Sequence, residues 1–377
     1  MSISCQIKWL CILSTNGYAR KTQFSVSSTD RIIEILTVYL HFDNQAVWKN
    51  DVMNPESVRI HVAAAAIVDD QHRVLLSKRP VHVHQGGLWE FPGGKLEEGE
   101  TLEEGLRREL LEELGITPMQ ARPLIRIAHD YPDKSVLLDV WRVDRINGVP
   151  RGLEGQRIQW VPIDQLQSYR FPAANLPVIK AVDLPECYLI TPEPGRETAR
   201  FLVELERSLE LGVSLLQLRA RQLPDNDYRA LIPEVLLRCQ QANARLLLNT
   251  DPRLVSEFGA AGVHLSSERL MASTVRPLNN TYLVAASCHT QEELQHAVKL
   301  GLDFVVVSPV RTTSSHPGAR TLGFSGFHDF TERASIPVYA LGGMQVVDLP
   351  IAFRHGGQGI AAIRGLWNQT LTVQIGR

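Results

Sequence analysis

The chain has 377 residues, which at roughly 150 per domain predicts two to three domains. Apolar residues make up 44% and charged residues 21%, which excludes long-range disorder and allows at least one substantial core. With 39 Lys and Arg against 41 Asp and Glu the net charge is −2, which argues against a surface built as a whole to grip nucleic acid. No apolar run approaches the ~20 residues of a membrane span. The stretch Trp9-Leu10-Cys11-Ile12-Leu13 is too short for the apolar segment of a signal peptide. The five cysteines, Cys5, Cys11, Cys187, Cys239 and Cys288, are odd in number and scattered, with no C-x-x-C pair. They read as buried or idle thiols in a reducing cytoplasm rather than a disulfide framework or a zinc knuckle.

Residues 1–58 mix short apolar runs with polar residues and show no clean period, so they are expected to be a weakly structured extension. Met53, just ahead of the first strong strand pattern, stands as a candidate biological start. From 59 to 182 the spacing predicts strands over 59–68, 73–79, 124–130, 135–143 and 157–161, all rich in Val, Ile, Leu and aromatics. One strong helix is predicted over 101–114. Thr101 and Glu104 make a capping box, Leu102, Leu106, Leu110 and Leu114 form a stripe, and Gly115 is the stop. The segment 176–186, with Pro177 and Pro185, reads as a linker. Beyond it come eight short apolar runs, at 187–191, 215–218, 246–249, 262–265, 283–287, 304–307, 338–341 and 359–363. Helical patterns fall between most of them, at 197–211, 228–242, 291–300 and 327–333. Such repeats predict a small (β/α)₈ barrel over 183–377. The fold class is therefore α/β: an α/β/α sandwich followed by a (β/α)₈ barrel.

The predicted helix carries Glu109, Glu112 and Glu113, three carboxylates on one side. Adjacent anions repel unless a cation sits among them, and oxygen-only ligands favour Mg²⁺ or Mn²⁺. The preceding Phe91-Pro92-Gly93-Gly94 can bring backbone close to such an ion, because glycine has no side chain in the way. A solvated acidic helix face is the alternative for the same residues.

The string Gly94, Glu100, Arg108, Glu109, Leu110, Glu112, Glu113, Gly115 and Ile116 meets the signature of the Nudix hydrolases at every fixed place. Residues 62–181 further resemble the MutT branch, which removes 8-oxo-dGTP from the nucleotide pool. Arg79, His84, Phe-Pro-Gly-Gly at 91–94, Tyr131-Pro132-Asp133, Glu154-Gly155-Gln156 and Phe171-Pro172-Ala173-Ala174-Asn175 carry that resemblance. It implies Mg²⁺-dependent hydrolysis, with Mn²⁺ as a substitute, of 8-oxo-dGTP to 8-oxo-dGMP and pyrophosphate, limiting mutagenic incorporation into DNA. Glu109, Glu112 and Glu113 would be catalytic. The Gly93 carbonyl and Glu154 would complete their metal site, and Arg108 would be an ion-pair partner. Arg79, His84, Glu90, Phe91, Pro92, Gly93, Gly94, Asp133 and Asn175 would line the substrate pocket. Asn175 suits a purine's mixed edge because a carboxamide both donates and accepts. Lys134 departs from the branch, which usually has Arg there. His82 and His84 lack further ligands and do not make a zinc site.

Residues 187–366 resemble thiamine-phosphate synthase and its relative, the thiazole tautomerase. The resemblance rests on Tyr188-Leu189-Ile190-Thr191, Gln217-Leu218-Arg219, Asn249, Gly262-Val263-His264-Leu265, His289, Ser308-Pro309-Val310 and Gly342-Gly343. It implies a ligand site at Arg219, Asn249, His289, Gly342 and Gly343. The chain departs from the synthases at Thr250, Arg269, Arg221, His316 and Arg364, which stand where acidic, lysine and serine residues are expected. A Nudix enzyme acting on a thiamine-related diphosphate, with the barrel as a ligand-binding or tautomerase module, is the second reading. Either way the partner is a small molecule, with neither direct nucleic-acid binding nor a membrane expected.

Overall fold

The computed structural model describes residues 59–195, 197–313, 318 and 320–371, together with residues 11–13 and 19–21. Those two short segments are strands β1 (Cys11–Leu13) and β2 (Ala19–Lys21), paired antiparallel with Cys11 opposite Lys21. The expectation of a weakly structured extension otherwise falls outside the described residues.

Strand β3 (Ile60–Ile67) is buried on both faces, which is why it reads as an unbroken apolar run. Ala63, Ala65 and Ile67 point into one core, Ala64 and Ala66 into another. The strands that follow are β4 (Arg73–Lys78), β5 (Trp89–Glu90) and β6 (Gly93–Lys95). Helix α1 (Leu102–Leu114) covers the first core with Leu106, Leu110 and Leu114, all essentially without solvent contact. Its ends form as the sequence predicts. Thr101 and Glu104 complete the capping box, and Gly115 closes the helix at φ 68°. Strands β7 (Thr117–Asp130), β8 (Ser135–Asn147) and β9 (Ile158–Pro162) complete two sheets, ordered β6-β3-β8-β7 and β5-β4-β9. β7 starts earlier than predicted because bulges at 118–125 absorb the two prolines there.

The segment expected to be a linker is instead helix α2 (Leu176–Asp183) over most of its length. Pro177 lies in its first turn, where a missing N–H costs nothing. Val178, Ile179, Ala181 and Val182 bury against the second core, making the α/β/α sandwich. α2 thus belongs to the first half by its packing.

The barrel alternates strands and helices: β10 (Cys187–Ile190), α3 (Thr198–Glu210), β11 (Leu215–Leu218), α4 (Asp225–Gln241), β12 (Arg245–Leu248) and α5 (Arg253–Phe258). It continues with β13 (Gly262–Leu265), α6 (Ser267–Ala272), β14 (Leu283–Cys288), α7 (Gln291–Lys299) and β15 (Phe304–Val307). Helix α8 (Gly323–Thr331), β16 (Val338–Leu341), α9 (Leu349–Arg354) and β17 (Gly359–Ala362) complete it. Every neighbouring strand pair is parallel, and β17 pairs with β10 to close the barrel. Helices α5, α6 and α9 were not predicted; at six residues each they are too short to show a period. The lumen is packed by Tyr188, Phe304 and Tyr339, with ring centroids 5.1–5.9 Å apart. Strand β7, at the end of its sheet, lies against α9, and the Arg122 guanidinium sits 3.9 Å from the Phe353 ring centroid. No helix among the described residues is long and apolar enough to cross a membrane.

The fully buried Leu110 ties α1 to its sheet. Leu110→Ala is expected to lower the unfolding free energy by about 2–5 kcal/mol in denaturant titration.

Candidate functional site

The turn between β5 and α1 places backbone against the carboxylate helix. Gly93 has φ +142°, and a Cβ there would collide with the Ala63 carbonyl on β3. A Cβ on Gly94 would collide with the carboxylate of Glu109. The two glycines thus let the turn settle directly onto α1. The Gly93 N–H donates to Glu113 Oε2 at 3.2 Å.

Glu113 is mostly buried and faces the carboxylates of Glu90, Glu109 and Glu154. Burial and these like charges, opposed by the Gly93 N–H, push its carboxyl up to about 8. Burial also raises Glu90, which is held against Arg79. Arg108 takes the other acids. It pairs with Glu100 at 2.7 Å, Glu109 at 2.8 Å and Glu112 at 3.2 Å. That contact holds Glu100 down to about 2. Glu112 remains mostly exposed. Gln156 fastens the Glu154 loop to the helix, donating to the Glu113 carbonyl and accepting from the Glu154 N–H, both at 2.9 Å.

The donor set of Glu109, Glu112, Glu113, Glu154 and the Gly93 carbonyl is all hard oxygen, which fits Mg²⁺ or Mn²⁺. Glu113, crowded by three other acids, is the group whose charge such an ion would relieve. The side chains do not already converge as a cage: among the described residues no three His, Cys, Asp or Glu gather tightly enough to hold one ion. Arg108 occupies the space between Glu109 and Glu112 instead.

The residues predicted from the sequence to line a nucleotide pocket lie in one neighbourhood. Arg79 Nε donates to the His84 carbonyl at 3.0 Å, and its guanidinium pairs with Glu90. His84 Nδ1 is 3.3 Å from Asp133 Oδ2, and its ring meets Tyr131 edge-on. Phe91 stacks on Phe171, and the Phe91 N–H points to Asn175 Oδ1 at 3.5 Å. Asn175 is buried and its side chain makes no cap bond to α2, so it is not a loop-capping residue. For two residues already named from the sequence the fold adds a role: Glu90 also crowds Glu113, and Gln156 braces the Glu154 loop. The sequence signal for both was their adjacency to the Phe91 turn and to Glu154.

At the barrel's C-terminal end, Arg219, Asn249, His289 and Gly342-Gly343 each follow a strand directly. Arg219 pairs with Glu193 at 3.0 Å. A polar chain runs into the lumen: Asn249 Nδ2 donates to Gln217 Oε1 at 3.0 Å and Gln217 Nε2 to the Tyr188 hydroxyl at 3.2 Å. That hydroxyl is 3.1 Å from His264 Nδ1, and His264 Nε2 is 2.9 Å from Ser287 Oγ. Burial drives His264 down to about 3, so the ring is neutral and serves as a satisfied lining residue. His289 is exposed and its Nδ1 donates to the Ser308 carbonyl at 2.9 Å. His316 lies outside the described residues.

Residues 63–181 match the NUDIX domain family, and residues 187–366 match the thiamine monophosphate synthase family. The 8-oxo-dGTP diphosphatase of Escherichia coli (strain K12) is 37% identical over 121 residues, 32% of this chain and 94% of that protein. That of Proteus vulgaris is 47% identical over 85 residues, 22% of this chain and 76% of that protein. A candidate thiamine-phosphate synthase of Aquifex aeolicus (strain VF5) is 35% identical over 182 residues, 48% of this chain and 97% of that protein. The chain belongs to the Nudix family through its sandwich and to the thiamine-phosphate synthase family through its barrel.

The raised Glu113 carboxyl has a definite sign in stability. Below its ordinary 4.5 it is protonated folded or unfolded, and the shift is silent. As pH rises from there to about 8, only the unfolded chain gives up the proton, so the folded state loses stability. Glu113→Gln is therefore expected to melt at a higher temperature than the parent in chelator above pH ~8, with no difference near pH ~4. Calorimetry at the two pH values checks this.

Proposed function

We propose that the Nudix half is a divalent-metal-dependent pyrophosphohydrolase. It cleaves 8-oxo-dGTP to 8-oxo-dGMP and pyrophosphate and so keeps oxidised guanine out of DNA. The observation that carries this reading is the seating of Glu113. It is buried beside the Gly93 turn, among three further carboxylates and next to the neighbourhood of Phe91 and Asn175. The identity to two 8-oxo-dGTP diphosphatases over the same residues supports the substrate.

In this reading Glu109, Glu112, Glu113, Glu154 and the Gly93 carbonyl would hold Mg²⁺, which would supply charge neutralisation of the phosphate chain and polarisation of a phosphoryl oxygen. Phe91 packs by the base while Asn175 pairs with its edge, fixing the nucleoside. Arg79 and His84 line the approach to the phosphates. Water attacks the β-phosphorus in line. Its oxygen bonds to that phosphorus, the bond to the α,β-bridging oxygen breaks, and the monophosphate departs with that oxygen. The Glu113 carboxylate takes the proton that the water releases. Arg108 acts by holding Glu100, Glu109 and Glu112 in place.

Glu113→Gln is expected to reduce kcat at least ~100-fold while the far-ultraviolet circular dichroism is unchanged. Near-normal turnover would refute the assignment. The substrate is tested by a panel of 8-oxo-dGTP, dGTP and thiamine diphosphate, each with and without Mg²⁺. Hydrolysis is expected to be fastest for 8-oxo-dGTP and to vanish without the metal. A clear preference for thiamine diphosphate would overturn the proposal in favour of the second reading.

A further inference from the structure

An α-helix leaves its last four carbonyls without intrahelical partners. At the C-terminal end of α2 the barrel provides partners for two of them, Ala181 and Asp183, and for two carbonyls just beyond. Gln358, almost wholly buried, donates through Nε2 to the carbonyls of Ala181 and Leu184, both at 2.9 Å. Arg245, the first residue of β12, reaches the Asp183 carbonyl at 2.8 Å and its Oδ2 at 2.6 Å. The Tyr339 hydroxyl donates to the carbonyl of Pro185, just past the helix. Lys180 pairs with the buried Asp303 at 3.1 Å. Arg245 opens β12, Asp303 and Gln358 immediately precede β15 and β17, and Tyr339 lies in β16. The contacts therefore come from the floor of the barrel, opposite its mouth. At its other end, α2 begins one residue after Asn175.

We propose that the barrel floor sets the position of Asn175, and through it the nucleobase selectivity of the Nudix half. Gln358 and Arg245 are positioning residues acting through α2. The inference rests on Asn175 as the base-reading group. An eight-residue helix is about 12 Å long and moves as one body. Clamping its last carbonyls therefore fixes the residue that precedes its first turn. Hydrogen-bond discrimination fades with displacements of a few tenths of an ångström, so loosening the clamp acts on recognition before it acts on bond cleavage. In this role the barrel contributes without turning over a substrate of its own.

The test uses the full chain and three variants: Gln358→Leu, Arg245→Ala and, as a control, Glu332→Gln. Glu332 joins the halves through Arg126 without touching α2. For Gln358→Leu and Arg245→Ala, KM for 8-oxo-dGTP is expected to rise about tenfold with kcat within about twofold. The margin over dGTP should narrow, and the amides of 175–183 should exchange faster with deuterium. Arg245→Lys, which keeps a cationic donor but not the fork, should recover part of the loss. Three results would overturn the proposal. These are unchanged exchange across α2, kcat/KM falling equally for both nucleotides so that the margin is kept, or the same loss of selectivity in Glu332→Gln. If the parent chain fails to distinguish the two nucleotides, the substrate reading fails. The exchange measurement still decides whether the barrel clamps α2.

Discussion

A carboxylate largely withdrawn from water beside other carboxylates is the constraint around which the first half is organised. Glu113 can occupy that place because the Gly93 N–H donates to it and because two glycines bring the turn down onto α1. The helix is in turn pinned by Leu106, Leu110 and Leu114 below and by its capping box at the start. Arg108 collects three acids that would otherwise repel one another, leaving Glu113 as the group with the least compensation. Stability and chemistry pull in opposite directions here. The folded chain bears the cost of a crowded acid that a divalent ion would relieve.

Much of this was legible in the sequence, for reasons that differ by residue. α1 was legible because caps, a leucine stripe and a stop glycine all point the same way. The barrel was legible from its rhythm, since parallel strands buried on both faces read as short unbroken apolar runs. α2 was not, because prolines at both ends resemble a linker and only the core contacts of Val178 and Val182 reveal a helix. Strand β5, only Trp89 and Glu90, is too short to show an alternation, and β6 is built on two glycines and a lysine, which carry little strand propensity. The placement of Arg108 between Glu109 and Glu112 depends on rotamers and could not be read from spacing alone.

The barrel has a well-satisfied interior. Asn249, Gln217, Tyr188, His264 and Ser287 form one continuous chain of polar contacts, so the lumen keeps a defined structure. Around it, Thr250, Arg221, Arg269 and Arg364 stand where acidic, lysine or serine groups were expected. Fold and family membership do not by themselves fix chemistry, which resides in sites grafted on the fold.

The long strand β7 ends its sheet, and such a strand presents a row of backbone donors and acceptors to any passing chain. Here α9 of the second half lies against it and Arg122 rests on the Phe353 ring. A sandwich separated from its barrel would uncover a ready template for intermolecular strand addition. Separation of the two halves would therefore also strip β7 of this neighbour.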